Sequence, residues 1–112
     1  MQRQPKPPKV AIREYHARLT FGSAVVPVVF HNIMEGTIEW TRQTTGRFRG
    51  TLTGAFGQLR TSIVATNGTN LGMNVTKDVQ DDYIELRVWD AAGNAADALS
   101  KCDVIVRVYE NI

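Results

Sequence analysis

Cysteine occurs once in the 112 residues, as Cys102, and histidine twice, as His16 and His31. A single thiol excludes an intrachain disulfide and a thiolate metal cluster, and it fits a chain made in a reducing compartment. The two histidines sit on different segments, with no Cys, His or carboxylate at ligand spacing around either, so they read as surface or strand-edge side chains. Proline is scarce beyond the amino terminus: three of the four are Pro5, Pro7 and Pro8. Long apolar runs are missing as well. The longest, AVVPVVF at 24–30, is far short of the roughly 20 residues of a membrane helix. MQRQPKPPKV lacks the apolar stretch of a secretion signal. A soluble protein without membrane contact is expected, and the sequons at Asn67 and Asn74 then read as chance. Charge of one sign is not in excess either: 13 Lys and Arg face 11 Asp and Glu, a net of +2. That is too little for the whole surface to bind a polyanion.

Signatures of catalysis are equally sparse. Glycines are scattered rather than grouped as G-x-G-x-x-G or a phosphate-binding loop, and no G-x-S-x-G elbow presents a nucleophile. Asp78, Asp81, Asp82, Asp90 and Asp97 offer oxygen ligands but not the spacing of a calcium loop. The sequence therefore points to a protein that is not an enzyme and uses no cofactor or metal.

Residues 1–10 form a separate segment. With Arg3, Pro5, Lys6, Pro7, Pro8 and Lys9 and no apolar residue between Met1 and Val10, it has neither a strand face nor a helix face to bury. It reads as an extended basic arm that binds a partner. Residues 11–112 follow as one domain, a size that buries roughly two thirds of its unfolded surface.

Period-two alternation dominates this domain. Ala11, Tyr15, Ala17, Leu19 and Phe21 share one face, and Glu14, His16 and Arg18 the other. The same pattern recurs at Ile38 and Trp40, Phe48 and Leu52, Leu59 to Ile63, Ile84 to Val88, and Cys102 to Val108. Turn signals separate these runs at Gly22-Ser23, Thr45-Gly46, Asn67-Gly68 and Gly93-Asn94. Only DAAGNAADALSKC, from Asp90 to Cys102, has helical character, and Gly93-Asn94 interrupts its start, so at most one or two turns are expected. The expected class is all-β: an antiparallel sandwich or small barrel with at most one short helix near the carboxyl terminus.

The densest charge lies in TRQTTGRFRGTL, residues 41–52. If the chain reverses near Thr45-Gly46, Ile38, Trp40, Phe48 and Leu52 face the core, while Arg47 and Arg49 share the other side with Glu39 and Thr51. Arg42 has the parity of Trp40 but sits beside the turn. RNA-binding sheets put aromatics on the exposed face to stack bases. Here the aromatics lie with the aliphatics, so a solvated, partly paired surface is expected. On the strand from Tyr83 to Trp89, Ile84, Leu86 and Val88 fill one face and the two aromatic ends lie on the other. Tyr83 and Trp89, with Arg42, are the candidate subunit interface.

IEWTRQTTGRFRGTLTGAF, then YIELRVWDAAGN and a final apolar strand, resembles the small β-modules of bacteriophage fibre tips and virion accessory proteins. The matching positions are Thr41, Arg42, Gly46, Phe48, Phe56, Leu86, Val88, Asp90, Gly93 and Val104 to Val108. The resemblance implies a non-enzymatic, frequently trimeric protein located in the virion and made in the host cytoplasm. The basic arm lies outside the pattern and suggests attachment to another protein, which favours a capsid decoration or cement protein bound to capsid or tail proteins. Nucleic acid is not expected as a partner. The alternatives are a receptor- or carbohydrate-binding fibre tip using Trp89, a nucleic-acid-binding barrel using Arg42, Arg47, Arg49 and Arg60, and an immunoglobulin-like adhesion domain.

Overall fold

The computed structural model describes residues 10–57, 60–66, 73–97 and 99–111. Eight strands follow in order: β1 (Val10–Phe21), β2 (Val25–Asn32), β3 (Glu39–Thr44), β4 (Arg47–Thr51), β5 (Thr61–Ala65), β6 (Asn74–Val79), β7 (Tyr83–Trp89) and β8 (Leu99–Asn111). They form two four-stranded antiparallel sheets, β2-β1-β8-β5 and β3-β4-β7-β6. Among the described residues no ladder joins the sheets, so the fold is a sandwich and not a closed barrel.

Alternation along the strands builds the core. From the first sheet, Tyr15, Ala17, Leu19 and Phe21 of β1 and Cys102, Val104, Val106 and Val108 of β8 turn inward. From the second come Phe48 of β4 and Ile84, Leu86 and Val88 of β7, with Met34, Ile38, Ala55 and Phe56 closing the ends. Contacts across the sheets include the stacked rings of Phe21 and Phe48, with centroids 4.3 Å apart, and the hydrogen bond that Trp40 Nε1 donates to the buried Tyr15 hydroxyl at 3.0 Å. The Trp40 indole also covers Gly50, its cross-strand partner. A Cβ there would come 2.9 Å from the ring, so a side chain in mid-strand would have to displace it.

The helical turn expected over 90–102 is not formed; among the described residues there is no helix. Asp90 captures its own loop instead. Its carboxylate accepts from the N–H groups of Ala92 and Asn94, and its N–H donates to the Asn94 carbonyl. Gly93 completes the turn at φ +84°, and Ala95 then pairs with Trp89. Local side-chain bonding of this kind competes with helix formation, and it outweighs the alanine content.

Candidate functional site

The outer face of the second sheet collects the charge seen in the sequence. Register places Arg47 beside Arg87 and Arg49 beside Glu85, with Thr41 next to Arg49 and Asp78 next to Glu85. Three guanidinium groups close over the Glu85 carboxylate. Arg47 Nη2 lies 2.9 Å from Oε1 and Arg49 Nη2 3.5 Å from it, while Arg87 Nε donates to Oε2 at 3.0 Å. The Glu85 side chain is only 3% exposed. Burial pushes its carboxyl pKa up, but hydrogen bonds from Arg47 and Arg87 and their charges outweigh it, so the net shift is downward. Arg47 and Arg87 thus keep a carboxylate ionised on this sheet face, with the Arg49 guanidinium 3.5 Å from it. The guanidinium of Arg49 also lies 3.8 Å above the Tyr83 ring.

The structure separates the members of the candidate interface. Tyr83 and Trp89 do share this outer face, each half-buried. Tyr83 is capped by Arg49, and Trp89 Nε1 donates to Thr76 Oγ1 at 3.1 Å. Arg42 pairs in register with Phe48, on the opposite parity, and turns at the hairpin end to Asp97, 2.9 Å from Oδ2. Arg42 is therefore a latch between the β3–β4 hairpin and the segment before β8. Nor do Arg42, Arg47, Arg49 and Arg60 form one patch, since Arg60 adjoins β5 in the other sheet. The arm residues Arg3, Pro5, Lys6, Pro7, Pro8 and Lys9 lie outside the described residues, as do Leu59 and Asn67.

Among the described residues no three His, Cys, Asp or Glu side chains are grouped to hold a metal. His16 and His31, far apart in sequence, meet edge to face at 5.4 Å, and His16 contacts Glu14, which also accepts from Arg107 Nε. The aspartates are used locally: Asp82 accepts from Gly54 N, Asp90 holds its own turn, and Asp97 accepts from Gly46 N. The lone thiol is fully buried, and burial, reinforced by the Asp103 charge, pushes its pKa up to about 12. Native protein is accordingly expected not to react with a disulfide reagent at pH 8, and unfolding should release one thiol per chain. Rapid native-state labelling would show the β8 interior to be open.

Strand β2 was not legible as a site. VVPVVF has no alternation and reads as an apolar run, yet it is an edge strand with seven of its eight residues exposed. Val26, Val28, Val29 and Phe30, and Ile33 just beyond, all present large apolar side chains to solvent. Edge strands are ordinarily protected by charge, and Val25 to Phe30 carries none. Pro27 alone interrupts it, removing one backbone donor. Register sets Val28 beside Arg18 and Val26 beside Thr20 on the outer face, and a bulge between His16 and Ala17 accommodates Phe30. Comparison with known proteins adds no relative: no family model fits the chain, and no curated protein or solved structure matches it.

Proposed function

We propose that the protein is a non-enzymatic structural component of a bacteriophage virion, a capsid decoration or cement protein that works as a homotrimer by binding protein surfaces. The observation that carries this reading is the uncharged, solvent-exposed β2 edge. The exposed fractions of Val26, Val28, Val29, Phe30 and Ile33, 47–64% each, amount to roughly 400 Å² of apolar surface at about 150 Å² for a large side chain. Apolar patches of this size are often functional. The resemblance of residues 38–108 to phage accessory modules supplies the setting, and the basic, proline-rich arm supplies an anchor. Proline restricts the free chain and so reduces the entropy lost when an arm docks, while Arg3, Lys6 and Lys9 suit an acidic groove on the shell.

The test is incorporation. Wild-type protein is expected to sediment with assembled particles through a density gradient, and deletion of residues 2–9 to abolish this while leaving the melting temperature nearly unchanged. Particles that lack the wild-type chain would refute the proposal, and full decoration by the truncated chain would refute the anchor.

A further inference from the structure

Beside β2, the outer face of the first sheet carries a cleft of about 210 Å³. Phe30 and Ile105 form its apolar walls, and His16, Arg18 and Asp103 its polar margin. Arg18 is fixed there by two bonds to the Asp103 carboxylate, 2.7 Å from Nε to Oδ1 and 3.2 Å from Nη2 to Oδ2. The paired charges leave no net charge at the margin to repel an apolar guest. An apolar cavity of about 150 Å³ accommodates benzene, so this cleft has room for one aromatic ring.

We infer that the occupant is a second copy of this chain, with the Phe30 side chain of one copy seated in the cleft of the next, between that copy's own Phe30 and Ile105. The inference deepens the proposed function and rests on its reading of β2 as an assembly surface. Phe30 is the most exposed large apolar residue described, at 64%, and it borders the cleft it would fill, so one patch supplies both knob and hole. Among the described residues the other exposed large apolar side chains lie on the same sheet, Val64 as the cross-strand partner of Ile105 and Ile12 paired with Tyr109.

Area points the same way. The roughly 400 Å² of apolar surface is about half of the 800 Å² that each partner contributes to a standard interface, the proportion expected of an apolar centre within a polar rim. His16, His31, Arg18 and Asp103 provide that rim. Pro27 opposes a continuous backbone ladder between copies, so association proceeds through side chains rather than by extending the sheet.

Sedimentation velocity and native mass measurement from about 1 to 100 µM test this on the full chain. Wild type is expected to associate, its mass reporting whether the contacts close as a pair or as the proposed trimer. Phe30→Asp should weaken association at least about 30-fold, the effect of losing a central anchor. Lys77→Asp, an exposed site on β6 in the other sheet, should leave it unchanged. Phe30→Ala provides the same reading without the added charge, and circular dichroism verifies that each variant is folded. A wild type that stays at 12.5 kDa at the highest concentration overturns the inference. So does an oligomer indifferent to both Phe30 substitutions, or one that Lys77→Asp disrupts equally. Particle binding separates the two claims: a monomer that still decorates particles removes the inference and the trimer but leaves the decoration reading, and a Phe30-dependent oligomer never found on particles removes the virion reading alone.

Discussion

Gly46→Ala is expected to destabilise the protein by about 2–5 kcal/mol, a large part of the roughly 5–15 kcal/mol available to a domain of this kind. Gly46 sits in the hairpin between β3 and β4 at φ +70°, where an L side chain costs about 1–2 kcal/mol. Space adds to the penalty. A Cβ would lie 2.7 Å from the Val88 carbonyl oxygen and 2.9 Å from the Ala96 nitrogen. Both are backbone atoms, bonded to each other at 3.0 Å, while Gly46 itself donates to Asp97 and accepts from Val88 N. Relieving the clash means giving up hydrogen bonds or shifting a strand, for which overpacking costs of about 1–3 kcal/mol are typical. Gly93→Ala is the control. It has a comparable dihedral, φ +84°, and nothing within 4 Å of its Cβ, so only the conformational penalty of about 1–2 kcal/mol applies. Urea unfolding of both variants measures the difference, and equal losses would show that contact with the 95–97 segment is not what requires glycine at position 46.

Gly46 also shows how far the sequence could be read. Thr45-Gly46 is visible as a turn because strand patterns flank it, but its packing against Val88 and Ala96 depends on how the 90–97 loop folds back. The alanines of that loop allow at most one or two helical turns, while the carboxylate of Asp90 closes a turn that no composition average detects. The same limit separates the strands. β1, β4, β7 and β8 are buried on one face, so their alternation carries through to the core almost residue by residue. β2 is exposed on both faces and has no alternation to find. β6 presents a mostly polar edge that resembles loop. In the arginine cluster the face was legible from parity, but the partner was not: Glu85 lies 36 residues beyond Arg49, and only the β4–β7 register brings them together.

That register makes Glu85→Gln the second large expectation: a loss of about 2–3 kcal/mol at pH 7 that vanishes in acid. Arg47 and Arg87 stand directly opposite on adjacent strands, an arrangement that repels unless a carboxylate lies between them. Removing one partner of a buried ion pair typically costs about 3–5 kcal/mol. The value here is smaller because the arginine side chains are 28–44% exposed and water takes over part of their solvation. Glu85 has a folded pKa below its unfolded one, the arginine bonds prevailing over burial. Its stabilisation is therefore complete above the unfolded carboxyl pKa of about 4.3 and disappears as pH falls through the folded value. Glu14, Asp97 and Asp103 are shifted downward too, by bonds to His16 and Arg107, to Arg42 and the Gly46 N–H, and to Arg18 respectively. Their acid-sensitive contributions are common to both proteins and cancel in the comparison. The unfolding free energies of wild type and Glu85→Gln should accordingly run parallel from pH 8 to 5 and converge below about pH 4. A gap that stays constant through the acid range would mean that Glu85 acts by shape rather than by charge, and the three guanidiniums would then need another explanation for gathering on one sheet face.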